Sequence, residues 1–333
     1  MKFLQFLFSY LYKIIICSRN WLYDNRIIKI NNFDTPIISI GNITMGGSAK
    51  TPMTIYLAEK LINKNYSIGI VSRGYKRATT GTFVVSDGIK VLGDANTCGD
   101  EPYIISKKVP NAFIVVDENK SRAVKLIINK YNPDIILLDD GFQHRKIARS
   151  IDLLLINSTI HSNYYKLLPY GLLREPLKNI NRSNIIITTY GNIIDDTINI
   201  NPNISIYNSN MKYSIKQLVG SNLTDCKKPI NVVAFCGIAN PKIFFEELDK
   251  LELNVIKKIT LPNHVKYSNK IIKKLRTTIN NNNIKSIITT EKDLVKLPIS
   301  LLNTFNIYTL CMEVYIDNED KIIDEILCNI KSE

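Results

Sequence analysis

The sequence predicts an α/β protein in which helices cover both faces of a parallel sheet. Short apolar runs, typical of buried strands, alternate along the chain with amphipathic segments, typical of helices. Strands that are buried on both faces are nearly continuous apolar runs, and their alternation with helices indicates a parallel sheet. The predicted strands of this sheet are 36–40, 67–72, 112–116, 133–140, 151–156 and 185–189.

Composition and charge are those of an ordinary globular protein. The chain has 333 residues, 45% of them hydrophobic and 22% charged, so it is long enough for two domains. Its net charge of +13 suits an anionic partner, but the sequence has no dense block of Lys and Arg and no RNA-binding signature. We therefore expect no nucleic-acid partner, and no obligate protein partner is evident.

The six cysteines are scattered along the chain, with no Cys-x-x-Cys pair and no zinc-finger spacing. Unpaired thiols of this kind are typical of a reducing cytoplasm. We expect neither disulfides nor a cysteine metal site.

The stretch between residues 36 and 61 has the order of a phosphate-binding loop. A buried strand is followed by a glycine-bearing segment that ends in Lys50 and Thr51, and an amphipathic helix begins there. In such loops main-chain N–H groups and the helix N-terminus hold phosphate oxygens, the lysine reaches the outer phosphates and the threonine binds Mg²⁺. The predicted nucleotide contacts are Thr44, Met45, Gly46, Gly47, Ser48, Ala49, Lys50 and Thr51.

This loop departs from the general pattern Gly-x-x-x-x-Gly-Lys-Thr. Thr44 and Ala49 occupy the two glycine positions, and Gly46 and Gly47 lie between them. The alternative is a glycine-rich turn between strand and helix that carries Lys-Thr by coincidence. The flanking strand and helix favour the phosphate-binding loop, and with it a P-loop NTPase-like fold.

Acidic residues extend the prediction. Asp139 and Asp140 end an apolar strand, which is where a phosphate-loop enzyme holds Mg²⁺. Asp100 is a candidate general base, although two carboxylates before Pro102 often mark only the start of a helix. The basic and aromatic segment 73–77 follows a predicted strand at the edge where α/β sheets bind ligands, and its alternative is a solvated turn.

A polar, asparagine-rich stretch from about residue 190 to 228 divides the chain. Beyond it, strand patterns at 231–237 and 286–290 predict a second, smaller α/β domain. We expect an N-terminal membrane-interface helix over 1–20, a P-loop domain over 21–215 and the smaller domain over 216–333.

Residues 3–17 are mostly apolar, but the run is shorter than the ~20 residues that a spanning helix needs. Gln5, Ser9 and Lys13 are spaced by four, so they form one narrow polar stripe on a helix. No small-residue cleavage site follows, which argues against a signal peptide. We expect a helix lying in the cytoplasmic leaflet, and the alternative is a helix that caps the soluble core. Positive charge and interfacial aromatic rings come from Lys2, Lys13, Arg19, Trp21 and Tyr23.

Several short motifs occur in a fixed order along nearly the whole chain. They are 41–44 with 46–52, 71–75, 99–102, 139–144, 173–176, 262–264 and 290–293. In this order they resemble the tetraacyldisaccharide 4′-kinases of lipid A assembly. The strings Asp-Asp-Gly-Phe-Gln-His and Thr-Glu-Lys-Asp are the most specific of them.

The resemblance implies a lipid kinase that works with ATP and Mg²⁺ at the cytoplasmic face of the bacterial inner membrane. Its reaction would move the ATP γ-phosphate to the 4′-hydroxyl of a tetraacyl glucosamine disaccharide 1-phosphate, the lipid A disaccharide precursor. Lys50 would hold the β- and γ-phosphates. Asp100 would take the proton of the sugar hydroxyl, and His264 from the second domain would orient and tune it.

The resemblance also implies further site residues. Thr51 would bind Mg²⁺ together with Asp139 or Asp140 and with Glu175. Weaker candidates for binding the anionic lipid headgroup are Arg73, Tyr75, Arg122, Gln143 and His144.

Two positions differ from the family pattern. Ala49 stands where the family has glycine, and a left-handed backbone there would strain an alanine by ~1–2 kcal/mol. Asn263 stands where the family usually has Asp, which removes a charge beside His264. Two alternatives stay open: a phosphate-loop kinase or hydrolase of a soluble substrate, and a decayed nucleotide-binding membrane protein. The apolar N-terminal helix argues against the first, and the retention of Lys50 and Asp139 argues against the second.

Overall fold

The computed structural model describes residues 2–192, 194–195, 198–263, 265–282 and 284–331. Within these ranges a single sheet of thirteen strands runs through the molecule. The strands are β1 Ile37–Asn42, β2 Ile68–Ser72, β3 Phe83–Asp87, β4 Phe113–Val116, β5 Ile135–Asp139, β6 Ile151–Asn157, β7 Ile185–Thr189, β8 Ser205–Val219, β9 Asn222–Asp225, β10 Asn231–Cys236, β11 Asn254–Thr260, β12 Ser286–Thr290 and β13 Asn306–Ile316. The helices are α1 Lys2–Asp24, α2 Lys50–Asn63, α3 Ala95–Cys98, α4 Asp100–Lys108, α5 Lys120–Tyr131, α6 Pro241–Lys250, α7 Asn269–Asn281, α8 Glu291–Leu294, α9 Ile299–Leu302 and α10 Glu319–Lys331, with 3₁₀ turns at Ser162–Tyr164 and Leu177–Arg182.

The sheet has two parallel halves that share strand β8. In the first half β7, β6, β1, β5, β2 and β4 are parallel neighbours in that order, and β3 is antiparallel at the edge. In the second half β11, β10, β12 and β13 are parallel neighbours. β8 is parallel to β7 and antiparallel to β13, so it joins the halves edge to edge.

Helices cover both faces of the first half, as the apolar strand runs predict. Successive side chains of a strand point to opposite faces. Ile37 of β1 packs in a core cluster with Val124 of α5, whereas Ile38 packs in another cluster with Leu57 of α2. The predicted α/β class is therefore confirmed.

The last helix returns to the first half of the sheet. Ile322 and Ile323 of α10 are buried in the same core cluster as Ile38 of β1. β8 also runs across the expected domain boundary between 215 and 216. The division into a P-loop domain and a smaller domain stays a prediction.

Helix α1 extends to Asp24, beyond the predicted end at residue 20. It contacts the first half of the sheet region through polar side chains. The Ser9 hydroxyl donates to the main-chain oxygen of Leu167 at 2.9 Å, and the Tyr12 hydroxyl donates to that of Arg174 at 2.8 Å. Among the described residues, no helix combines the length and the hydrophobicity needed to span a membrane. The outward face of α1 carries exposed large apolar residues: Leu4, Phe6, Leu7, Phe8, Tyr10, Leu11, Ile14, Ile15 and Trp21.

Candidate phosphate-transfer site

Strand β1 leads straight into the predicted phosphate-binding loop. The strand ends at Asn42 and α2 begins at Lys50, with Gly46 at φ 112° and Ala49 at φ 56° in the turn between them. Alanine has no polar side chain to cap a helix, so the first N–H groups of α2 are available to an anion. The buried hydroxyl of Ser48 has no hydrogen-bond partner among the described residues.

Neighbouring segments fix the walls of the loop. Thr44 pairs with Leu173 in an isolated antiparallel bridge, and the main-chain oxygen of Gly47 accepts a hydrogen bond from Asn157 at 2.8 Å. Thr51 is buried in the first turn of α2. The loop is thus held from both sides while its tip is open.

The parallel register brings the acidic pair to this loop. Ile40 of β1 lies opposite Asp139 of β5, so the turns after both strands meet at one edge of the sheet. The Lys50 ammonium lies 3.3 Å from the side-chain oxygen of Asn42 and 3.7 Å from Oδ1 of Asp140. Lys50, predicted to bind phosphate, and Asp140, predicted to bind Mg²⁺, therefore face one another.

Asp140 is held as a carboxylate by two cations. Nη1 of Arg174 donates to Oδ1 and Oδ2 of Asp140 at 2.9 and 3.0 Å. Burial alone would raise the pKa of Asp140, but the charges of Lys50 and Arg174 outweigh burial and lower that pKa. The sequence analysis gave Arg174 no role in the site. The only feature that could have indicated one was its position in the motif 173–176.

Asp139 offers an oxygen that fits a metal ion. Its Oδ2 accepts a hydrogen bond from Ser72 at 2.9 Å, and its buried Oδ1 has no partner among the described residues. Burial, and then the like charge of Glu101, raise the pKa of Asp139 to about 6. A nearby cation would lower this pKa, and hard oxygen ligands are those that Mg²⁺ prefers.

The donor set suits Mg²⁺ held jointly with a nucleotide. No group of three or more His, Cys, Asp or Glu in the described ranges could hold a metal. Mg²⁺ is commonly held by one or two carboxylates together with substrate phosphates, so the pair Asp139 and Asp140 beside Thr51 fits this ion.

Lys120 binds the main chain of the turn formed by Asp139 and Asp140, called here the acidic turn. Its buried ammonium donates to the main-chain oxygens of Asp139 at 2.5 Å and Asp140 at 2.8 Å. Burial lowers the pKa of Lys120, and the charges of Asp140 and Asp139 act against that effect. The sequence analysis gave Lys120 no role in the site.

Asp100 comes close to the predicted headgroup segment. It begins α4 directly after Gly99, which has φ 95°, and a Cβ built on Gly99 would lie 3.3 Å from the main-chain oxygen of Tyr75. Tyr75 and Arg73 are exposed on the turn after β2, and β2 neighbours β5. His264 lies outside the described residues, so its pairing with Asp100 stays a prediction.

Gln143 and His144 lie near the acidic turn. The Gln143 amide donates to the main-chain oxygen of Asn42 at 2.8 Å, which places it beside the phosphate-binding loop. Burial, followed by the positive charge of Lys120, lowers the pKa of His144 to about 4. His144 is therefore a neutral imidazole at physiological pH.

Two other predicted residues hold strong ion pairs. The buried carboxylate of Glu175 accepts from Arg182 at 2.7 Å and from Asn20 of α1 at 2.8 Å. The Arg122 guanidinium binds Asp117 at 2.7 Å. These contacts account for both side chains structurally, and their roles at the metal and at the headgroup stay predictions.

Known proteins are similar to this chain in both sequence and architecture. The family model for LpxK, tetraacyldisaccharide-1-P 4′-kinase, matches residues 1–331. A tetraacyldisaccharide 4′-kinase of Aquifex aeolicus is 34% identical over 95% of this chain and 95% of its own length. One of Pelobacter propionicus is 34% identical over 87% of this chain and 81% of its own length.

A solved structure agrees with these sequence matches. The "apo" form of LpxK from Aquifex aeolicus in complex with ATP superposes with a TM-score of 0.81 at 31% identity, and the match covers 98% of each chain. Fold, motif order and sequence all point the same way, and the chain belongs to the tetraacyldisaccharide-1-P 4′-kinase family.

Proposed function

We propose that this chain transfers the γ-phosphoryl group of ATP to the 4′-hydroxyl of a tetraacyldisaccharide 1-phosphate. The observation that carries the proposal is the meeting of Lys50 and Asp140 at 3.7 Å, beside the uncapped N-terminus of α2. This arrangement offers main-chain donors and an ammonium to a triphosphate, next to acids that suit its metal ion.

Each residue of this edge has a role in phosphoryl transfer. The turn 44–49 and the N-terminus of α2 bind the phosphates, and Lys50 stabilises the charge on the transferring group. Thr51, Asp139 and Asp140 would hold Mg²⁺, which neutralises charge on the β- and γ-phosphates. Lys120 and Arg174 keep the acids in place through the hydrogen bonds described above.

Asp100 is the proposed general base, with His264 as its partner. A sugar hydroxyl is a weak nucleophile, and a base that takes its proton contributes about 10²–10⁴-fold. Asp100 lies beside the turn that carries Arg73 and Tyr75, which suits a sugar headgroup bound at the same place. The anionic 1-phosphate would meet the cationic side of this turn.

Helix α1 is the proposed membrane contact, on the cytoplasmic face of the inner membrane. Its polar side packs against the rest of the protein, because Ser9, Tyr12 and Asn20 form hydrogen bonds with segment 167–175. Its outer side exposes a broad apolar face, with Ile15 64% exposed and Leu4 57% exposed. A helix of this kind lies in the interface plane of a bilayer, where an acylated substrate resides.

The proposal is tested by incubating the protein with ATP, Mg²⁺ and a tetraacyl disaccharide 1-phosphate in detergent. Mass spectrometry should detect a 4′-phosphate product with wild type, and Asp100→Ala should form it at least ~10²-fold more slowly. A parallel reaction with a deacylated disaccharide 1-phosphate separates a lipid kinase from a kinase of soluble sugars. Absence of product from both substrates, despite ATP binding, would favour the decayed nucleotide-binding protein.

A further inference from the structure

Lys296 lies where three separate segments meet. Its ammonium is 3.6 Å from Oδ2 of Asp100 on α4 and 3.2 Å from Oδ1 of Asp293 on α8. It also lies 5.8 Å from the centroid of the Tyr267 ring, in the segment that follows residue 264. Only 13% of the Lys296 side chain is exposed, so these groups hold the cation in a largely dry place.

Asp293 anchors this lysine. It is fully buried, and its Oδ2 accepts hydrogen bonds from the main-chain N–H of Gly237 and from the Thr290 hydroxyl, both at 2.8 Å. Its Oδ1 accepts no hydrogen bond among the described residues and faces the Lys296 ammonium. A buried carboxylate needs a compensating charge, so Asp293 fixes where the ammonium sits.

Gly237, whose N–H binds this carboxylate, also lies against the residues that flank position 264. A Cβ built on Gly237 would lie 2.8 Å from Val265, 3.1 Å from the main-chain oxygen of Pro262 and 3.1 Å from Oδ1 of Asp293. Pro262 and Val265 therefore pack beside Gly237, which is bonded to the anchor of Lys296. Lys296 itself contacts Asp100, Asp293 and the Tyr267 ring.

We propose that Lys296 is a further positioning residue for the phosphoryl transfer, holding the Asp100 carboxylate in its working orientation and linking it to Asp293 and Tyr267. The inference rests on the proposed role of Asp100 as general base. A carboxylate at the start of a helix can rotate, and a displacement of about 1 Å at a reacting group can cost about 10²-fold in rate. An ammonium fixed on a second, buried carboxylate limits that rotation.

A second ion pair between the same two segments offers a matched control. Lys108, at the far end of α4, binds Glu291 of α8 at 2.6 Å. Like Lys296, which follows α8 directly, it ties α4 to the segment that begins with α8. It lies at the opposite end of α4 from Asp100, about 12 Å along the helix. Loss of helix docking alone should therefore affect Lys108→Met and Lys296→Met alike.

The experiment measures kcat and the KM for ATP of the full chain with the acylated substrate. We expect Lys296→Met to lower kcat by at least ~10-fold with an unchanged KM for ATP. Lys296→Arg, which keeps the positive charge, should retain most of the wild-type kcat. Lys108→Met should stay within ~3-fold of wild type. Equal losses in Lys296→Met and Lys108→Met, or no loss in Lys296→Met, would overturn the inference.

Folding is controlled with a double variant. Lys296→Met leaves Asp293 without its cation, whereas Lys296→Met combined with Asp293→Asn leaves no buried carboxylate there. The double variant should show a wild-type circular dichroism spectrum and still lose kcat, and a wild-type kcat would refute the positioning role. If Asp100→Ala keeps full activity, the proposed base is wrong, whereas an inactive Asp100→Ala beside a fully active Lys296→Met overturns only this inference.

Discussion

The buried ammonium of Lys120 donates to the main-chain oxygen of Asp140 at 2.8 Å, at a residue whose φ of 51° is left-handed. A non-glycine residue in that conformation is strained and needs support from its surroundings. The same ammonium also holds the main-chain oxygen of Asp139. Lys120 thereby fixes the main chain of the turn that carries both acids.

We predict that Lys120→Met destabilises the fold and disturbs the acidic turn. The substitution leaves two buried carbonyl oxygens without a donor, which costs about 1–3 kcal/mol for each unpaired group. Chemical denaturation should show a loss in the free energy of unfolding of this order. Lys125→Met, at an exposed position of the same helix, should stay within ~0.5 kcal/mol of wild type. Equal stability of the two variants would contradict the support role.

We predict that Ala49→Gly keeps or improves the affinity for ATP. Ala49 has a φ of 56°, where alanine costs ~1–2 kcal/mol and glycine does not. The larger entropy of glycine in the unfolded chain lowers the free energy of unfolding and does not enter the affinity of the folded protein for ATP. Isothermal titration with a non-hydrolysable ATP analogue measures the affinity. Ala58→Gly, in the interior of α2, should instead lose at least ~1 kcal/mol of stability. A large loss of affinity in Ala49→Gly would show that the loop does not bind phosphate in this conformation.

We predict that Glu175→Gln lowers stability even without nucleotide or metal. The Glu175 carboxylate is buried, but Arg182 and Arg19 are partly exposed, so removing its charge weakens charge-assisted hydrogen bonds at a cost of about 1.5–3 kcal/mol. Thermal unfolding in EDTA is the measurement. Unchanged unfolding in EDTA, together with a higher Mg²⁺ concentration for half-maximal activity, would instead identify Glu175 as a metal ligand.

We predict that the outer face of α1 carries the membrane affinity. Leu4, Phe8 and Leu11 are exposed and lie on one side of the helix, and each contributes up to about 1.5–3 kcal/mol when buried in lipid. Replacing all three by Asn should abolish flotation with vesicles that contain anionic lipid. These substitutions avoid the contacts of Ser9 and Asn20, which a deletion of residues 1–20 would remove.

A matched control removes exposed apolar side chains from a part of the surface outside α1. Ile89 and Ile230 are 85% and 86% exposed and lie outside α1. Their replacement by Asn should leave flotation intact. Equal flotation of the α1 variant and wild type would rule out this helix as the membrane contact.

The sequence predicted the first half of the sheet well because its strands are buried on both faces. β5 begins with four apolar residues in succession and β1 has three isoleucines among its first four residues, so both are recognised without knowledge of their neighbours. β8 was missed because its Asn-rich, partly exposed pattern is typical of a loop. Only the pairing with β7 and β13 reveals that strand.

The sequence also predicted the central residues of the candidate site, but not the cations that support them. Lys50 and the pair Asp139 and Asp140 follow strands, and parallel strands bring their carboxyl ends together. The supporting cations Lys120 and Arg174 could not be predicted. A basic residue that opens a helix or lies in a loop is usually solvated, and its burial depends on the three-dimensional packing.

The central claim is that the γ-phosphate is transferred at Lys50. The most direct measurement is the transfer of label from γ-labelled ATP to the tetraacyl disaccharide 1-phosphate by Lys50→Met, compared with Lys64→Met, an exposed lysine at the other end of α2. We expect Lys50→Met to lose at least ~10²-fold in rate, because a donor aimed at the transferring group is removed, and Lys64→Met to match wild type. Label transfer by Lys50→Met at the rate of wild type would contradict the account.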